Sequence, residues 1–193
     1  MNIKQLKIKN LRCFSESENS IRPITVVIGE NNTGKTTFLS SYKLIHDLLY
    51  EDKPIKPSSI ENLLKDKCYQ YLGGVENFTR KQSDSDIVIL EAKLKSDNQN
   101  VYKIEYSIKG AKSCDSILIT LPNKEKIRIN IEKNTMISFS LNEDQHSIKK
   151  QTRPVDFYIN FLHLISFLSN ELESLIKEKK SLGAQIGNLA LFK

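Results

Sequence analysis

Gly29-Glu30-Asn31-Asn32-Thr33-Gly34-Lys35-Thr36-Thr37 satisfies the pattern G-x-x-x-x-G-K-[ST]. Its flanks give it structural context. Upstream, Ile24-Thr25-Val26-Val27-Ile28 is a short β-branched run that predicts a buried strand. Downstream, Phe38, Leu39, Tyr42, Leu44, Ile45, Leu48 and Leu49 recur at helical spacing. Strand, glycine loop and helix in that order is the setting of a phosphate-binding P-loop.

The chemistry explains the residue types. A loop with glycine at both ends turns tightly enough for successive backbone N–H groups to face phosphate oxygens. The positive end of the following helix dipole adds to that attraction. Gly29 to Thr37 are therefore candidate nucleotide-binding residues, with Lys35 as the point charge for β- and γ-phosphates and the catalytic candidate. The Thr36 hydroxyl is the candidate ligand for Mg²⁺. ATP and Mg²⁺ are the expected cofactors.

Composition sets the frame. The chain has 193 residues, 39% hydrophobic and 27% charged, enough for one domain or one lobe of a larger one. Its net charge of +6 is dispersed, as on a solvated lysine-rich surface, and does not by itself indicate nucleic acid. Cys13, Cys68 and Cys114 lie far apart, as do His46, His146 and His163, which argues against a disulfide scaffold or a metal cluster. No apolar run approaches the roughly 18 residues of a membrane span. The expectation is a soluble, cytoplasmic protein without a membrane partner.

Ahead of the P-loop, Ile3, Leu6 and Ile8 among lysines predict a first strand, followed by Asn10-Leu11-Arg12-Cys13-Phe14 and a polar turn. This opening, of the form Ile-x-x-Leu-x-Ile-x-Asn-Leu-Arg-x-Phe, with a Walker A motif inside the first forty residues, resembles the ATPase heads of the RecF/SMC/OLD group. These are ABC-type P-loop ATPases of the AAA kind. Asn31 or Asn32 matches the asparagine of that group's loop, and the two segments cover about a quarter of the chain. The segment Leu72-Gly73 to Phe78 is similar to one in bacterial defence-type members, although a glycine turn before a packed Phe explains it equally well.

The middle of the chain predicts a five-stranded antiparallel meander over residues 86–142. Tyr102 to Ile108, Ile117 to Leu121, Ile127 to Ile131 and Ile137 to Leu141 each alternate apolar and polar residues, with Ile87 to Leu94 ahead of them. From Thr152 the period becomes helical. Pro154 suits a first turn, and Phe161, Ile165, Leu168, Leu172, Leu175, Lys179 and Leu182 keep 4-3 spacing up to Gly183. Either a bundle helix or the start of a coiled coil fits. The expected organisation is an α/β P-loop head lobe over 1–151 with an antiparallel β-subdomain, an amphipathic helix over 152–183 and a tail over 184–193, with a second lobe missing.

A hydrolytic site also needs a Walker B carboxylate ending an apolar strand. Glu91 after Ile87 to Leu90 falls mid-strand, and Glu132 after Ile131 ends a strand whose alternation is half-exposed, so both are poor candidates. No signature motif is visible either. The resemblance implies that these parts lie in the second lobe, and that such heads dimerise, or form higher oligomers, around ATP to control DNA binding or an attached nuclease or effector. It also implies a nucleotide contact for Arg12 and a linking glutamine at Gln145 or Gln151. Lys149, Lys150 and Arg153 form a small basic cluster facing either solvent or DNA phosphates. The leading expectation is an ATP-binding head that couples ATP binding and hydrolysis to DNA binding or an associated nuclease in anti-phage defence; the alternative is a weakly or non-hydrolysing, nucleotide-gated scaffold that oligomerises and holds an effector. An ABC transporter subunit fits poorly.

Overall fold

A computed structural model describes residues 2–66, 69, 72, 74–132, 135–141 and 158–171. Seven strands form one antiparallel sheet: β1 (Asn2–Leu11), β2 (Phe14–Ser20), β3 (Ile87–Lys95), β4 (Val101–Lys109), β5 (Ser113–Thr120), β6 (Lys126–Glu132) and β7 (Thr135–Leu141). Their spatial order is β2-β1-β3-β4-β5-β6-β7. The meander expected over 86–142 is thus present, and it is continuous with the N-terminal hairpin. β1 pairs with β2 on one edge and β3 on the other, with Leu6 opposite both Asn19 and Ala92.

The alternation seen in sequence decides which face is buried. Leu6, Ile8, Val88, Leu90, Tyr102, Ile104, Tyr106, Ile127 and Ile129 are all essentially inaccessible. At about 1.5–3 kcal/mol for each large apolar side chain removed from water, this face supplies most of the driving force for the sheet. The pairing register shifts between Ile3 and Gln5 in β1–β3 and between Asn130 and Ile131 in β6–β7, and a third shift changes what is buried. The β4–β5 register shifts between Ser107 and Ile108, so Ser107 and Ser116 are buried although the alternation places them with the polar residues.

Helix α1 (Lys35–Tyr50) lays Phe38, Leu44, Ile45, Leu48 and Leu49 into the core, and the Tyr106 hydroxyl donates to Leu48 O at 3.4 Å and Ile159 O at 3.2 Å. The Glu51 N–H closes the last turn on Asp47 O at 3.0 Å, and the chain then runs extended toward Pro54. A short 3₁₀ turn, Pro57–Ser59, leads into α2 (Ile60–Lys65), which buries Ile60 and Leu64.

Two expectations are corrected. Residues 25–29 form no strand, and Ile24, Val26 and Ile28 are 85%, 76% and 85% exposed. The last ladder bond on this side runs from Ile21 N to Lys4 O at 2.8 Å, after which Arg22 and Thr25 bond each other and turn the chain off the sheet. β-branched residues favour a strand only where another strand supplies hydrogen bonds, and no described segment does so here.

The second correction concerns the last helix. α3 (Phe161–Glu171) begins at Phe161, and residues 158–160 ahead of it are not helical, so a continuous helix from Thr152 is excluded. The buried Asn160 accounts for the start. Its Oδ1 accepts from Ile55 N at 2.5 Å, and its Nδ2 donates to Glu51 O at 3.0 Å and Lys53 O at 2.9 Å. These bonds pin the α3 entry to the 51–55 linker. Residues 172–193 lie outside the described residues.

Candidate functional site

Gly34 precedes α1 with φ 94°, in the left-handed region that favours glycine. A Cβ there would lie 2.7 Å from Cys13 Sγ and 3.0 Å from Phe14 Cζ, so the β1–β2 turn and the loop meet at a point that admits only glycine. Asn32 is also left-handed (φ 66°), and the Thr33 hydroxyl donates to Glu30 O at 2.8 Å. The loop is therefore shaped largely by its own backbone and short side chains. The Lys35 ammonium folds back over it, donating to Gly29 O at 2.8 Å and Glu30 O at 2.5 Å. Carbonyl dipoles occupy the cation that an anionic ligand would otherwise engage.

A cavity of about 1000 Å³ opens over this loop. One wall is Asn31, Asn32 and Gly34 to Thr37; Arg12 and Cys13, from the β1–β2 turn, border it. A second wall is Asn77 and Thr79 to Gln82. Arg12, Lys35, Arg80 and Lys81 all line the cavity, and no Asp or Glu among the described residues does. The site attracts a polyanion.

The second wall is held to β1 by backbone bonds. Arg12 N donates to Phe78 O at 3.0 Å and Arg80 N to Asn10 O at 3.1 Å, around a bridge between Leu11 and Thr79. Asn10 and Arg12 are left-handed (φ 60° and 49°), and the Asn10 side-chain amide donates to Ser85 O and Ile87 O, both at 2.8 Å. Phe78, fully buried, anchors the segment. Sequence reasoning left residues 77–82 out of the site. The signal was the buried Phe after a glycine turn, but the contact depends on a pairing across more than sixty residues, such as Leu11 with Thr79.

The phosphate-binding pattern, on a left-handed glycine at the head of α1 beside a cavity lined by four cationic side chains, coincides with a family match over residues 1–186 to the AAA ATPase domain. The chain belongs to the AAA ATPase domain family. A stretch of 43 residues is 37% identical to the OLD nuclease of Thermus scotoductus. That stretch is 22% of this chain and 8% of the Thermus protein, so the similarity reaches only a small part of the relative.

The remaining candidates of this AAA ATPase domain fall elsewhere. Glu91 bonds Lys103 at 2.8 Å and stands opposite Lys7 and Glu105 in the strand register, away from the cavity. Glu132 is exposed at the end of β6. Neither lines the cavity. Gln145, Gln151, Lys149, Lys150 and Arg153 lie outside the described residues. Among the described residues there is no cluster of His, Cys, Asp or Glu able to hold a metal ion, and no helix long and apolar enough to cross a membrane.

Proposed function

We propose that this chain is the ATP-binding part of an OLD-like ATPase, and that hydrolysis requires groups from outside the described residues. The observation that carries the reading is the P-loop cavity, lined by Arg12, Lys35, Arg80 and Lys81 and, among the described residues, by no acid. β- and γ-phosphates replace the loop carbonyls as partners of Lys35. Thr36, which lines the cavity, would hold Mg²⁺ through its hydroxyl, and the ion would neutralise phosphate charge there. The carboxylate that orients the attacking water comes from a second lobe, with the site closed in a dimer or higher oligomer.

The same second lobe offers a partner for Ile24, Val26 and Ile28, whose exposure is otherwise costly for an apolar run. The OLD nuclease similarity supports coupling of ATP state to a nuclease; coupling to DNA, a role in anti-phage defence and a cytoplasmic location belong to the same proposed reading. The alternative is a scaffold that binds ATP without needing to hydrolyse it, and a cavity without an acid among the described residues is compatible with it as well.

Calorimetric titration with MgATP tests the core of the reading. Binding is expected in the wild-type chain and lost in Lys35→Ala, with little turnover by the chain alone. Failure of the wild type to bind MgATP would remove the reading. Turnover by the full assembly, measured with and without DNA, separates the ATPase from the scaffold.

A further inference from the structure

The P-loop motif accounts for one wall of the cavity and leaves the other unexplained. Arg80 and Lys81 sit on that second wall, on a segment whose backbone is bonded to β1 at Asn10 and Arg12 and whose base is the buried Phe78. Arg80 Nη2 donates to Gln82 Oε1 at 2.8 Å, a neutral partner that orients the guanidinium and leaves its charge uncompensated. No ion pair involving Arg80 or Lys81 occurs among the described residues, unlike Lys7, Lys43, Lys65 and Lys103, each of which holds a carboxylate. Two uncompensated cations held over a phosphate loop repel one another and Lys35 unless an anion lies between them.

We infer that Arg80 and Lys81 are phosphate-chain ligands of the nucleoside triphosphate, lining the same cavity as Lys35. This rests on the proposed ATP binding and extends it to a wall the P-loop motif does not contain. The binding is electrostatic and graded by ligand charge, so ATP depends on the pair more than ADP does. Arg80 gives a planar fork suited to two phosphate oxygens, and Lys81 a point charge. The stiff attachment to β1 means that neither must be ordered from a free loop when nucleotide arrives.

The test is titration of the full chain with MgATP and MgADP at two salt concentrations. The double variant Arg80→Ala/Lys81→Ala is expected to bind MgATP at least about ten-fold more weakly, to lose less for MgADP, and to show a shallower salt dependence. The charge-keeping variant Arg80→Lys/Lys81→Arg is expected to recover most of the affinity, which a merely structural role would not produce. MgATP binding within two-fold of wild type in the double variant, or an equal loss for both nucleotides with unchanged salt dependence, would overturn the inference. If wild-type binding depends on Lys35 yet ignores Arg80 and Lys81, the second wall alone fails. If the wild type binds neither nucleotide, both proposals fail.

Discussion

At the scale of single residues, Asn160 and Gly34 do most to place the rest. Asn160 is fully buried and satisfies three backbone groups of the 51–55 linker. Asn160→Ala strands those groups out of water and is expected to cost about 2–4 kcal/mol, read as a lower urea midpoint with an unchanged slope. A loss below about half a kcal/mol would mean that water replaces the side chain. Gly34→Ala puts a methyl against Cys13 Sγ in a backbone conformation that disfavours it. It is expected to weaken MgATP binding at least ten-fold, and Cys13→Ala should restore little because the φ strain and the Phe14 contact remain.

At the scale of elements, the solvent side of the sheet carries charges whose register matters. Glu105 stands directly opposite Glu91 across β3 and β4. Burial, and then the Glu91 charge, push its carboxyl above the usual value, with Arg128 and Lys103 pulling the other way. A carboxyl raised in the folded state favours folding while protonated, and that contribution is lost as pH rises through the raised value. Glu105→Gln is therefore expected to raise the melting midpoint at neutral pH and to flatten its fall between mildly acidic and neutral pH. An unchanged profile would show that the cations cancel the burial.

Asp47 on α1 has the opposite sign. Burial works to raise its carboxyl, but hydrogen bonds from Lys43 and the Tyr69 hydroxyl prevail and hold it below the usual range. Its contribution is present at neutral pH and lost as pH falls through the lowered value. Among the other elements, the 24–28 run is the least supported. Its amides are expected to exchange with deuterium much faster than those of Leu90 or Tyr106, and comparable protection would reveal a strand partner in solution.

At the scale of the whole molecule, one sheet holds the site's two walls in register. β1 leads into Arg12 in the β1–β2 turn, receives the 77–82 segment along its last residues, and through that turn packs Cys13 and Phe14 on Gly34. Phosphate binding is therefore coupled to the stability of the sheet. MgATP at a hundred times its dissociation constant is expected to stabilise the fold by about 2.7 kcal/mol, seen as a rise in melting midpoint that disappears in Lys35→Ala. A rise that persists in that variant would place the nucleotide elsewhere.

The local sequence determined the features that depend on neighbours in the chain. The P-loop follows from its glycines and lysine, the meander from period-two alternation, and α1 from helical spacing of Leu44, Ile45, Leu48 and Leu49. Tertiary structure decided what depends on partners far away. The run from Ile24 to Ile28 has the composition of a strand, but a ladder is a property of two segments, and the described residues supply only one. Helical periodicity before Phe161 gave way because Asn160 gains three hydrogen bonds by holding its backbone against the 51–55 linker. The second cationic wall was hidden for the same reason. Arg80 and Lys81 look like ordinary surface residues in sequence, and only the pairing of Leu11 with Thr79 brings them to the phosphate loop.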